Sequence, residues 1–288
     1  MSKNRHPLLT MAGKTTGALL ALVALGLPCS ALPGASALVP PASGSSLVVT
    51  PTRIVLEGRA RSAEIFLHNT GNAPATYRIS LVELEMDEHG RTAEIPAPPG
   101  PTSAASLLRY SPRQVILAPG ASQTVRVQVR KPEYLAAGEY RSHFLFRAVP
   151  DASATEPAPD SENAIGVSIK AIYGVSIPFI LRHGPVQVKA SLANLSLNPE
   201  HTTLSFQINR EGNRSLYGDV QATWQPSNGK PVPVGKLNGV AIYANLPLRK
   251  FTLPLSDLKV PALPGTLKVS FLESGSRKII AEALLELK

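Results

Sequence analysis

Apolar and polar positions alternate along this chain with a period of two far more often than they recur at helical spacing. Residues 123–131, QTVRVQVRK, place Val125, Val127 and Val129 on one side and Arg126, Gln128 and Arg130 on the other. Successive side chains of a strand point to opposite faces, so this run predicts a half-buried β-strand. Comparable runs occupy 47–56, 62–69, 75–86, 107–117 and 138–150. Between them lie TGNAP (70–74), DEHG (87–90) and APGAS (118–122), whose Gly, Pro, Asn and Asp are turn residues. Pro51 interrupts the first run and cannot donate to a ladder, which marks an edge or a switch between sheets. After LRHGP (181–185) a second set begins, with seven strand-like pieces in roughly 100 residues, the density of an immunoglobulin-like sandwich. The pattern therefore predicts an all-β chain with two immunoglobulin-like β-sandwich domains in tandem, over 38–183 and 184–288. The closing IIAEALLELK (279–288) would suit a helix, but the second sandwich needs a last strand, and an edge strand is expected there.

One run is too long. In IGVSIKAIYGVSIPFI (165–180) the residues Val167, Ile169, Ala171, Tyr173, Val175, Ile177 and Phe179 alternate with mostly small or polar ones, Ile172 being the intruder. Strands usually span about 5–6 residues. At ~3.3 Å per residue this one would reach roughly 50 Å, farther than a domain of this size is wide. A long apolar strand at a sheet edge offers unpaired backbone groups to other chains, and proteins usually suppress it. Its physical use is strand addition, in which backbone hydrogen bonds give affinity and alternate side chains enter pockets. Four or five such side chains, at about 1.5–3 kcal/mol each, give a gross gain of about 6–15 kcal/mol. The plainer alternative is a last strand that bends at Gly174 and Pro178 and runs on into the linker, with Phe179 packing between domains. Periodicity alone leaves both open.

Composition adds a compartment. Lys3, Arg5 and Lys14 precede the apolar ALLALVALGL (18–27), and Ala35-Ser36-Ala37 is a small-x-small cleavage site. That is a secretory leader over 1–37, too short to span a bilayer, which takes about 20 apolar residues. A lipoprotein reading at Cys29 is weaker, because Pro28 stands where a small residue is wanted. Cleavage would leave 26 basic against 20 acidic residues and no cysteine. An exported chain that folds without disulfides points to a bacterial periplasm. The basic residues form no run and are not interleaved with aromatics, which argues against nucleic acid as a partner.

Candidate chemistry is sparse. His68, His89, His143, His183 and His201 are not at metal-ligand spacing, so no metal or other cofactor is expected. GVSIK (166–170) and GVSIP (174–178) are each one residue short of a Gly-x-Ser-x-Gly elbow and sit within a strand, not at a strand–helix turn. Glu83 and Glu85 share a strand face and read as solvated. The chain is expected not to be an enzyme.

Four segments resemble the PapD-like periplasmic chaperones of pilus assembly, which serve chaperone–usher pathways. VVTPTRIVLEG (48–58) is similar to that family's first strand, RYSPRQVILAPGASQTVRV (109–127) to its P-x-x-x-x-L-x-P-G segment, GEYRSHFLFRAVP (138–150) to its sixth strand, and 165–180 to its seventh, the donor strand. The resemblance implies a chaperone that stabilises pilin-like exported subunits by donor-strand complementation and delivers them to an outer-membrane usher, without stable membrane insertion. Val167, Ile169, Ala171, Tyr173 and Val175 would enter the client groove, and Arg53 would bind the subunit's C-terminal carboxylate in the cleft between domains. An arginine suits that task because its planar fork matches a carboxylate. Without a client the exposed edge allows self-association. The family's second anchor, a lysine near the end of the donor strand, has no counterpart at 176–178, and Lys170 lies too far upstream. Arg182 is the candidate replacement. The alternative is a two-domain structural or adhesin-like surface protein that uses the sandwiches as spacers.

Overall fold

Two of the alternating stretches are each divided by a proline, and the halves join opposite sheets. β1 (Leu47–Thr50) and β2 (Ile54–Leu56) flank Pro51, which follows a cis peptide bond; Ser111–Pro112, also cis, separates β7 (Leu108–Ser111) from β8 (Gln114–Leu117). In the computed structural model, which describes residues 46–96, 100–150, 173–255 and 264–287, the first sandwich is built around these two crossings. The remaining strands up to the linker are β3 (Ser62–Asn69), β4 (Ala75–Val82), β5 (Leu84–Met86), β6 (Thr92–Glu94), β9 (Ser122–Val129), β10 (Gly138–Val149) and β11 (Gly174–His183). One sheet has the order β1-β3-β9-β7 and the facing sheet β2-β11-β10-β4-β8. The alternation read from the sequence sets which side chains turn inward: Val125, Val127 and Val129 of β9 are all buried, against Ile65, Leu67, Phe144, Phe146 and Phe179.

The second sandwich uses β12 (Val188–Leu197), β13 (Thr203–Gly212), β14 (Leu216–Pro226), β15 (Val232–Ile242), β16 (Leu248–Pro254), β17 (Gly265–Glu273) and β18 (Ile279–Leu287). Its sheets have the orders β12-β13-β16 and β15-β14-β17-β18. The last segment is thus an edge strand and not a helix. Phe206 stacks on Phe251 at 5.2 Å in a core shared with Trp224 and Phe271.

The run 75–86 is not one strand. β4 stops at Val82, and β5 turns away to pair with β6 in a separate two-stranded hairpin. Glu83 is the reason. Its carboxylate accepts the hydroxyls of Ser103 at 2.7 Å and Ser142 at 2.5 Å, so it lies within a hydrogen-bonded network and not on a solvated strand face. The hairpin turn is closed by Asp87, whose Oδ1 accepts from the backbone N–H of His89 and of Arg91, both at 2.9 Å.

The hairpin reaches the second sandwich. The Lys250 N–H of edge strand β16 donates to the Glu88 carbonyl at 2.7 Å, and Lys250 Nζ pairs with the Glu88 carboxylate at 2.7 Å. Met86 joins Ile180, Ala241 and Tyr243 in a small buried cluster drawn from both sandwiches. The apolar side chains there are removed from water by the neighbouring domain, which contributes about 25 cal/mol per Å² of apolar area covered. The chain passes from one sandwich to the other over residues 184–187.

Candidate functional site

Strand β11 is unevenly covered. On one side it pairs antiparallel with β10 over its whole length, from Gly174 opposite Arg147 to His183 opposite Gly138. On its other side β2 runs parallel to it, but only at Phe179, Ile180 and Leu181. Among the described residues, no strand lies beside 174–178 on that second side. The same half emerges from the core. Phe179 and Ile177 are 0% and 2% exposed, Val175 is 37% exposed and Tyr173 77%. These four residues share one face of the strand, so the row that fills the chain's own core continues outward as an exposed apolar row. The strand extends to His183, past the expected end at 180. Val167, Ile169 and Ala171 lie outside the described residues, as does the leader over 1–37.

Arg53 stands just before β2, where the chain has crossed from one sheet to the other. Its surroundings come from the second sandwich. One guanidinium NH2 donates to Ser215 Oγ at 3.3 Å, the group lies 4.4 Å from the centre of the Tyr217 ring, and Tyr243 is 5.9 Å away. Arginine stacks well on aromatic faces, and burial strengthens the attraction. Nε of Arg53 is buried without a hydrogen-bond partner. Burial lowers the pKa of the group, opposed by Tyr243 and Glu139. An unpaired buried donor on a cation is costly.

The neighbouring carboxylates are committed elsewhere. Glu139, fully buried, accepts from Arg182 Nε at 3.0 Å and from both the N–H and the hydroxyl of Ser215, at 3.0 and 2.9 Å. A second nitrogen of Arg182 pairs with Glu57. The expected replacement anchor is therefore occupied: Arg182 ties β11 to β10 and, through Glu139 and Ser215, to the second sandwich. Arg214 pairs with Glu273 at 2.8 Å and holds that carboxyl below the usual range. Arg53, Arg182, Arg214, Thr52 and Tyr217 line one open cleft of about 480 Å³ between the sandwiches.

Behind Tyr243 lies a second cation. The Arg141 guanidinium sits 3.7 Å from the Tyr243 ring centre and donates to the Leu84 carbonyl at 2.9 Å. His143 packs edge-on to the same ring at 5.9 Å. Burial, with Arg141 and Arg53 nearby, lowers the His143 pKa to about 3, so the imidazole is neutral.

No family model matches the sequence, and no curated protein matches it. The solved structures similar to this chain include three chaperones. The CupB2 chaperone of Pseudomonas aeruginosa is 11% identical over 83% of this chain and 99% of that one, with a TM-score of 0.40. The E. coli chaperone DraB is 13% identical over 85% of this chain and 97% of that one, with a TM-score of 0.43. The SafB chaperone of Salmonella enterica, solved in complex with the SafA pilin, is 11% identical over 84% and 96%, with a TM-score of 0.40. Among the described residues no helix is long and apolar enough to cross a membrane.

The sequence singled out Arg53, Arg182, Tyr173 and Val175, and the structure places them in two settings: the two arginines in the cleft, Val175 on the open half of β11 with Tyr173 just before it. It did not single out Ser215, Tyr217, Tyr243, Arg214 or Glu139. Ser215 is 162 positions from Arg53, and no spacing or periodicity links residues that meet only when two domains dock. The burial of Glu139 at an otherwise polar strand end has no local signal at all.

Proposed function

We propose that this protein is a periplasmic chaperone that lends the open half of β11 to an incomplete pilin-like subunit. The observation that carries the reading is the half-covered strand. β10 fixes 174–178 in extended form, β2 leaves their outer side without a strand among the described residues, and the face that fills the core at Ile177 continues as exposed Val175 and Tyr173. A strand held in this way has already lost its conformational freedom. A client that pairs with it therefore gains ladder hydrogen bonds and pocket contacts for its own ordering cost alone. Val167, Ile169 and Ala171 would extend the row. Arg53 would receive the subunit's terminal carboxylate in the cleft, which sets the register of the added strand. Delivery to an outer-membrane usher completes the reading, and no catalytic chemistry is part of it.

The test is substitution of Tyr173 and Val175 by Asp, with a pilin-like exported subunit co-expressed in the periplasm. Both side chains are exposed, so the variant is expected to keep its urea midpoint. It is expected to lose the subunit on purification, because each buried carboxylate would cost several kcal/mol. Full recovery of the subunit with the folded double variant would overturn the proposal.

A further inference from the structure

We infer that the β5–β6 hairpin is a strap that couples the seating of the second sandwich to the strand lent to clients, with Arg249 as the pin on which it seats. The consequence for clients rests on the strand-lending reading given above; the seating of the hairpin does not.

The tip is fitted to its seat at one residue. Gly90 has a φ of +83°, and a Cβ built on it would overlap the guanidinium of Arg249. That guanidinium is held by its own sandwich. It lies 4.8 Å from the centre of the Phe251 ring, and NH1 donates to the Ala241 carbonyl at 2.9 Å. An alanine at 90 must therefore displace either the tip or the pin, and it must also adopt a φ that a side chain disfavours. Beside the pin, the Lys250 N–H donates to the Glu88 carbonyl at 2.7 Å.

The base of the hairpin reaches β11. Met86 packs with Ile180, Ala241 and Tyr243. Ala241 thus serves both ends of the strap, since its carbonyl holds the pin while the residue belongs to the cluster under the base. Arg141 of β10 joins the same parts, donating to the Leu84 carbonyl and stacking on Tyr243. On β11, Ser176, Pro178 and Ile180 share the face opposite Val175, Ile177 and Phe179. At Ile180 that face is fully buried, and Pro178 is paired with His143, which packs edge-on to Tyr243. The second sandwich and the hairpin base therefore clamp β11 just beyond the half that is lent. With the strap lifted, Ile180 loses part of its cover and the clamped length shortens. A client paired with 174–178 favours the ordered strand and so favours the seated strap. By linkage the seated strap favours the client by the same factor.

The experiment uses the mature chain and a short synthetic peptide of alternating apolar and polar residues, amidated at its C-terminus so that no terminal carboxylate contributes. Hydrogen exchange at the Lys250 amide reports seating, and titration calorimetry reports peptide affinity. Peptide is expected to slow Lys250 exchange in the wild type. Gly90→Ala and Arg249→Gln are each expected to speed that exchange and to weaken peptide binding by about fivefold or more, the low end of typical coupling between sites. Ile65→Val, a core change far from the strap in sequence, lowers stability without touching the hairpin and should leave the affinity unchanged. Unchanged Lys250 exchange in both strap variants overturns the role of Arg249. Faster exchange with full peptide affinity overturns the coupling and leaves the strand reading standing, as does an equal loss of affinity in Ile65→Val. A wild type that does not bind the peptide overturns the strand reading and the coupling together.

Discussion

At the scale of single residues, the junction between the sandwiches gathers charge that elsewhere would face water. His143 is the clearest case. It is 3% exposed, edge-on to Tyr243, with Arg141 and Arg53 close enough to disfavour a further positive charge. A histidine with a folded pKa near 3 binds fewer protons folded than unfolded. The stability it supports is complete above its ordinary value of 6.5 and declines as pH falls towards 3. The decline attributable to this one group is about 1.4 kcal/mol per pH unit within that window. Replacing it by Phe keeps the aromatic packing and removes the proton site. The urea midpoint of wild type should therefore fall relative to that of His143→Phe as the buffer is acidified from pH 7 to 4.5. Parallel curves would mean that His143 does not titrate as described.

At the scale of elements, glycine decides how closely two strands of the second sandwich approach. A Cβ on Gly218 would stand 1.9 Å from the Leu272 carbonyl oxygen of β17, a backbone atom that has nowhere to go. Gly218 pairs with Glu273, and β14 bulges against β15 just after it. That pairing places Glu273 within reach of Arg214. Gly218→Ala is expected to destabilise the fold by about 1–3 kcal/mol, the range for overpacking, visible as a lower urea midpoint with an unchanged slope. An unchanged midpoint would show that β14 and β17 can part without cost.

Elements were also what the sequence showed best. Local alternation located β9 with its buried valines, and the missing N–H of Pro51 marked an edge or a switch between sheets, of which the structure has the switch; the final edge strand followed from the sandwich's need for a last strand and not from its own pattern. The break at Glu83 was not legible. It depends on two serine hydroxyls, one from the 100–104 loop and one from β10, which the chain brings together only on folding. The cleft was legible on one side alone, through Arg53. Its other side consists of ordinary polar residues of the second sandwich whose spacing carries no pattern.

At the scale of the whole molecule, the sandwiches are held by the packing of Arg53, Arg141 and His143 on Tyr217 and Tyr243 and by two further joints. One is the buried pair of Glu139 and Arg182, with Ser215 completing the carboxylate's hydrogen bonds. The other is the β5–β6 hairpin on β16. The Lys250–Glu88 ion pair there is roughly half exposed on both partners and is expected to add no more than about 1 kcal/mol. The backbone bond beside it and buried Met86 hold more. Replacing the hairpin tip, residues 87–91, by a two-residue turn should therefore leave each sandwich folded while loosening their docking. The expected signs are a larger radius of gyration by small-angle scattering and faster proteolysis across 184–187. Unchanged scattering would show that the docking does not depend on the hairpin tip.

The hairpin has one more effect. β16 is the outermost ribbon of its layer, and such a border is a template on which neighbouring copies can stack. Here the molecule lays its own tip across that border and uses the Lys250 N–H itself. Stacking of one copy upon another through this margin is thereby obstructed from within, so a concentrated stock should stay monodisperse along it, and clipping the tip should turn a clear sample cloudy.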